Sequence, residues 1–454
     1  MRIPLILFLV GLAVFAAFAG KRLLIHSPDN HFVYLADAFL HGSTELMRKP
    51  HHQNDWASYE VLQLKGASAA AHGAEVRGFF TRRKGAPDEF RLLSGQEIEI
   101  PRGDRGESTT RYFVSFPPAP AVLMIPFVAV AGYGANDVIF TVLFAALNGV
   151  LVFLLLQHLT RLGHSLRETR DNLWLTVLFT FGTAHLWCAV LGRVWFTALI
   201  VGVTFHLLYI YWSVDARRPL LAGIALAGAF STRATLLFAV VFFYWQLFLS
   251  PAGRALERGE RWKRFALFNA PCLVVGLLLL WYNAARFESP TEFGHTFLAG
   301  GTLTRIRDYG LFHWNFLDRN LHAALTLVPR IQDEWPYLLL SKHGMSMLLT
   351  TPALALLAWP RRSHPLARSL GWSALVVAVP IAFYQNTGWE QFSFRFALDF
   401  MPYLVCCLAL GGRPMSRWFR GLIIAGVLVN ALGAATFHRA GKLYGHHMAE
   451  EPQR

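Results

Sequence analysis

The stretch Asp137-Val138-Ile139-Phe140-Thr141-Val142-Leu143-Phe144-Ala145-Ala146-Leu147-Asn148-Gly149-Val150-Leu151-Val152-Phe153-Leu154-Leu155-Leu156-Gln157-His158 decides how the rest of the chain is read. It runs for roughly 22 residues with no charge after the first, and as a helix it would be about 33 Å long, enough to cross a hydrocarbon core of about 30 Å. Similar apolar runs recur at about 3–19, 173–190, 195–213, 219–232, 235–250, 265–283, 340–358, 369–385, 398–411 and 420–437. Of the 454 residues, 54% are hydrophobic and 15% charged, where a soluble domain carries roughly a quarter. Mean hydropathy is +0.37. The predicted fold class is an all-α polytopic membrane protein with about 11 transmembrane helices, outer juxtamembrane helices and a small β-containing periplasmic insertion.

The formal net charge of +14 does not gather in one soluble module, which argues against nucleic acid as a partner. The cations sit instead in short loops: Arg161, Arg167 and Arg170; Arg217 and Arg218; Arg254, Arg258, Arg261, Lys263 and Arg264; Arg361, Arg362 and Arg368; Arg413, Arg417 and Arg420. Placing all five loops inside the cell gives a consistent alternation with the N-terminus cytoplasmic. This requires that Ala119 to Gly134, with Pro120 and Pro126, lie at the interface rather than cross. It also divides Pro219 to Ser250 into two short spans turning at Ser231-Thr232-Arg233.

The resulting organisation is a signal-anchor helix at 1–25, a first periplasmic loop at 26–136, a bundle at 137–283, a second periplasmic region at 284–339, C-terminal spans at 340–437 and a polar tail at 438–454. Within the first loop, Tyr59–Leu64, Val76–Phe80, Phe90–Leu93 and Glu97–Ile100 read as short strands, punctuated by Gly85-Ala86-Pro87-Asp88 and Ser94-Gly95. Cys188, Cys272, Cys406 and Cys407 lie in apolar runs and read as structural thiols. Trp187, Trp195, Trp281, Trp335 and Trp389 fall near predicted span ends, as an aromatic belt would. The pairs His51-His52 and His446-His447 lack the spacing that suits two imidazoles on one ion, so no metal site is expected.

Four motifs appear in order. Asp29-Asn30 is followed by Tyr34-Leu35-Ala36 and Gly42; then come Phe116-Pro117-Pro118-Ala119-Pro120, the segment Tyr282 to Gly294, and Phe392-Ser393-Phe394-Arg395-Phe396-Ala397-Leu398-Asp399-Phe400-Met401-Pro402. This set resembles the C superfamily of integral membrane glycosyltransferases, including protein mannosyltransferases and lipid A aminoarabinose transferases. The resemblance implies a bacterial inner-membrane enzyme. It would transfer a sugar from a polyprenyl-phosphate donor to a glycan, lipid or protein hydroxyl at the periplasmic face. The lipid-phosphate sugar is then a substrate, and no cofactor is implied. Members often carry a second acid beside the first; here Asn30 stands in that place, which speaks against a paired-carboxylate or metal-binding role.

Such chemistry needs a base for the acceptor hydroxyl and cations for the departing phosphate, and direct displacement with inversion needs only one carboxylate. Asp29, near the start of a helix expected over 30–41, is the candidate base, since that helix's dipole favours an anion. Arg395, flanked by phenylalanines with Asp399 one turn on, is the first candidate for the phosphate. Arg233, Arg193 and Arg286 are further candidates. Asp37, Glu288 and Glu292 are candidates for the sugar or the acceptor. The rival reading is a transporter or flippase for a lipid-linked or anionic solute, which predicts matching halves or helices broken at mid-membrane.

Overall fold

The computed structural model describes residues 2–52, 54–81, 88–298, 305–306 and 308–448. The turn read at 85–87 lies outside them. The chain divides into two compact units, one formed by Met1–Asn30, Asn136–Val274 and Leu311–Arg454, the other by His31–Ala135 and Val275–Gly310.

The first unit is helical. Its long helices are α1 (Arg2–Ala19), which continues as a 3-10 turn to Leu24, α4 (Asp137–Arg161) and α6 (Val194–Ser213). To these add α9 (Pro365–Ala382), α11 (Arg417–Thr436) and α8 (Arg258–Phe287), of which the part up to Val274 belongs to this unit. Each is apolar enough to cross a membrane, making six such helices among the described residues. The reading as a polytopic membrane protein therefore holds. Along the most apolar stretch of α6, 78% of residues are buried, against 17% for α1 and 11% for α8. A helix apolar all round and buried all round is a bundle centre, whereas an apolar helix left exposed belongs against lipid. Around that centre α4 packs on α6 and α1 on α4, while α7 (Pro219–Phe230) packs against α6.

The other five expected spans are shorter or broken. The pair at 219–250 is present as α7 and an apolar helical stretch Ala234–Leu249. The run at 173–190 ends as α5 (Thr169–Phe181) at Gly182 and resumes only at His185–Ala189. At 398–411 only α10 (Met401–Leu410) is α-helical. The span expected at 340–358 is not one helix: it is a strand at Leu338–Ser341, a helical turn at Met347–Thr350 and a 3-10 segment at Pro352–Ala358. Thr351 precedes Pro352, whose ring disfavours helical backbone at the residue before it, and Thr351 accordingly sits at φ −135°, ψ 66°.

The second unit holds a five-stranded antiparallel sheet in the order β4-β3-β2-β1-β5. Its strands are β1 (Trp56–Leu64), β2 (Glu75–Phe80), β3 (Glu89–Leu92), β4 (Glu97–Glu99) and β5 (Arg105–Val114). The register pairs Trp56 with Val114 and Glu60 with Gly78. Alternation puts Ala57, Tyr59 and Val61 with Phe113, Phe287 and Phe297 in one core, and Leu62, Leu64, Val76, Phe90 and Ile98 in another. Four of the five strands were legible as alternating segments. The fifth was missed because Glu107 to Thr110 are polar and turned to solvent. The same unit contains α2 (His31–Leu40) packed on α3 (Ala119–Ala131). At 13 residues, α3 is about 20 Å long, too short to cross.

Candidate functional site

The loop carrying Asp29 is fixed within the first unit by two helix starts. The Ser27 N–H donates to Asp137 Oδ1 at 2.7 Å and its hydroxyl to Oδ2 at 2.5 Å, while Asn136 caps α4 and donates to the Leu23 carbonyl at 2.9 Å. On the other side the Val194 N–H, the first of α6, donates to the Asp29 carbonyl at 3.0 Å. The Asp29 carboxylate, almost fully buried, stands 3.3 Å from Arg193 Nη1. Arg193 is the N-cap of α6. Gly192 before it has φ +70°, and a Cβ there would sit 2.5 Å from the Val138 side chain. The backbone that aims Arg193 therefore requires glycine. Asn30 donates from its side-chain amide to His26 at 3.4 Å.

Three residues into the same turn of α6, the Phe196 ring lies under the Arg395 guanidinium, 5.0 Å from its centroid. Arg395 is 3% exposed and donates to the Glu390 carbonyl at 3.3 Å. The Phe396 ring is shared by Arg395 at 5.4 Å and Arg233 at 5.3 Å. Arg233 in turn forms a two-pronged pair with Asp399, Nε and Nη2 each at 2.7 Å, and Thr235 donates to the same carboxylate at 2.7 Å. The Asp399 partner suggested by the sequence spacing, Arg395, is thus replaced by Arg233, from the turn after α7. Arg395, Phe396, Arg233 and Asp399 form one series of charges and rings, and the first turn of α6 carries both Arg193, paired with Asp29, and Phe196, under Arg395.

Several neighbours went unnoticed in the sequence. Arg22 donates to the Phe437 carbonyl at 3.0 Å, and its Nη1 is buried without a protein partner. Lys342 pairs with Glu390 at 2.9 Å, and His438 Nδ1 lies 3.7 Å from the other Glu390 oxygen. Arg22 directly follows Lys21 at the end of the first apolar run, a cation pair that could have marked it. Nothing local marks Glu390 or His438.

Burial, then the charge of Arg193, holds the His438 imidazole down at about 4, with Arg22 and Lys342 adding and Glu390 opposing. The unfolded chain takes up that proton near pH 6.5, the folded one only near 4. Stability is therefore complete above about 6.5 and drains as pH falls toward 4, by on the order of 3 kcal/mol. Unfolding midpoints of the wild type across that window should drop more steeply than those of His438→Asn, whose side chain tolerates the φ of 56° at this position. Parallel curves would contradict a buried neutral imidazole.

The Arg233–Asp399 pair gives a second expectation. Arg233→Ala strands a carboxylate that is 2% exposed and should cost about 3–5 kcal/mol. Thermal unfolding in detergent should show most of it restored in Arg233→Met/Asp399→Leu. A single variant as stable as the wild type would remove the pair from the structural account.

The remaining predicted residues belong to the second unit. Arg286 is buried and spends its donors on the Val114 carbonyl at 2.5 Å, the Tyr282 carbonyl at 3.2 Å and Asn283 Oδ1 at 2.8 Å. It clamps the end of β5 to the end of α8. Asp37 accepts from the Tyr133 hydroxyl at 2.5 Å, and Arg48 lies 4.4 Å over that ring. Burial and this bond push the Tyr133 phenol upward. Glu288 pairs with Arg77 at 3.1 Å. Glu292 accepts from the Gly294 N–H at 2.6 Å and the Thr296 hydroxyl at 2.9 Å.

Trp187 is not part of an interfacial belt. It is fully buried, with its indole N–H on Ser393 at 2.9 Å, on the approach to Arg395. Trp281 and Trp335 are exposed, as a belt requires.

No family model matches the chain, and no curated protein matches it. Among solved structures it is similar to the Archaeoglobus fulgidus oligosaccharyltransferase in the apo form, at 11% identity and a TM-score of 0.47. The match covers 98% of this chain and 56% of that one, so the chain spans little more than half the length of that enzyme. A likeness at this level does not fix a common activity.

Proposed function

We propose that this protein is a membrane glycosyltransferase that moves a sugar from a polyprenyl-phosphate donor to an acceptor hydroxyl at the periplasmic face. The observations that carry the reading are the ion pair of the Asp29 carboxylate with Arg193, the N-cap of α6, and the Arg395 guanidinium over Phe196, three residues further along that helix. Asp29 accepts the hydroxyl proton as the acceptor oxygen attacks the anomeric carbon. The bond from that carbon to the phosphate oxygen breaks, the electron pair leaves with the phosphate, and configuration inverts. Arg395 and Arg193 meet the charge developing on the leaving group from a water-poor site, where such contacts act most strongly. Arg233 already gives two donors to Asp399. Its part is to hold the Phe396 ring, which it shares with Arg395, and so to position Arg395.

The test is a proteoliposome assay with a labelled polyprenyl-phosphate sugar and membrane extract as acceptor source. A covalent labelled product that depends on the protein is expected. Label or solute crossing the bilayer with no covalent product would favour a transporter and overturn the proposal.

A further inference from the structure

Away from that site, the first unit holds a partly open cavity of about 310 Å³. Arg362, Arg368 and Arg413 line it, and its wall is apolar, with Leu404, Leu408 and Phe419. No acidic side chain lines it. Each of the other arginine loops of the unit has one arginine paired with a carboxylate: Arg167 lies 3.5 Å from Asp171, Arg217 3.6 Å from Asp215 and Arg264 2.8 Å from Glu260. Among the described residues no carboxylate lies within ion-pair distance of the three cavity arginines. Arg413 is fixed by donating Nε to the Trp359 carbonyl.

Two helix N-termini add positive potential. His364, on the cavity wall, accepts from the Leu366 N–H at the start of α9. Ser416 accepts from the N–H of the wall residue Phe419 at the start of α11. Trp359 and Trp418 are 64% and 72% exposed, the amphipathic rings expected at headgroup depth. The volume is at the lower end for small-ligand sites, enough for a headgroup rather than a whole lipid.

We propose that this cavity binds the headgroup of an anionic phospholipid. Its phosphodiester lies among Arg362, Arg368 and Arg413, and its first methylenes rest against Leu404, Leu408 and Phe419. Unneutralised guanidiniums above an apolar wall at the end of membrane helices match that amphipathic ligand and no purely polar one. The assignment is independent of the sugar-transfer reading.

The full-length protein, delipidated in detergent, should be titrated with phosphatidylglycerol and with phosphatidylcholine and followed by native mass spectrometry. Phosphatidylglycerol should bind at least tenfold more tightly. At about a fivefold loss per cation at the membrane surface, the triple variant Arg362→Gln/Arg368→Gln/Arg413→Gln should lose affinity by roughly a hundredfold. The triple lysine variant should retain most of the binding, which separates lost charge from a damaged fold. Equal binding of the two lipids, or an unchanged glutamine variant, would overturn the site. Glycerol 3-phosphate competing as well as the lipid would overturn the commitment to a lipid occupant.

Discussion

Asp29→Asn is expected to insert and fold as the wild type does while losing on the order of 10²–10⁴ in kcat, the range for removal of a general base. Asparagine keeps the shape of the side chain, and the Val194 N–H still finds the Asp29-position carbonyl, so the loop geometry survives. What disappears is the proton acceptor. The Arg193 side chain is 25% exposed, so losing its anionic partner is partly offset by water and should cost no more than about 1 kcal/mol. The signature is a fall in kcat with little change in donor KM, read from transfer of a labelled lipid-phosphate sugar. Asp29→Glu should recover part of the rate. Turnover of Asp29→Asn at the wild-type rate would remove Asp29 from the chemistry.

Arg395→Ala should reduce kcat/KM by roughly 10²–10³, the loss seen when one preorganised donor to a developing charge is removed. The pattern should differ from that of Asp29. An interaction with the donor phosphate acts on binding as well as on the transition state, so donor KM should rise while kcat falls. Arg395→Lys keeps the charge but not the planar fork, and should sit between the two. Because Arg395 is stacked with Phe196 and Phe396, the alanine variant also loses packing, and its unfolding midpoint must be measured alongside. A fully stable Arg395→Ala protein with wild-type donor KM would show that the phosphate lies elsewhere.

Much of the local structure was legible because it follows from periods short enough to read along the chain. The long apolar runs became α1, α4, α6, α8, α9 and α11, the break at Ser231–Arg233 fell between two short helices, and four strands matched their alternation. Local pattern misled where a single residue outweighs hydropathy. At 340–358, Pro352 breaks what a window average reads as one span. In β5 the polar first half hid a strand that only its pairing with β1 reveals.

The site was legible in part. Asp29, Arg193, Arg233 and Arg395 could each be singled out by the cost of a charge beside apolar sequence. Which partners they meet could not be read, because those partners are more than 160 positions away: Phe196 meets Arg395, and Arg233 meets Asp399, 166 positions on.

By itself, then, the sequence determined which segments are apolar enough to leave water, where the helices begin and stop, and which charges are out of place among them. Each of these follows from burial and backbone preference over a few turns. Only the tertiary structure decided which charge meets which. It gave Asp399 to Arg233, turned Arg286 inward to close a sheet, buried Trp187 against Ser393 and brought His438 beside Glu390. Charge pairing acts over a few ångströms in space and carries no mark along the chain.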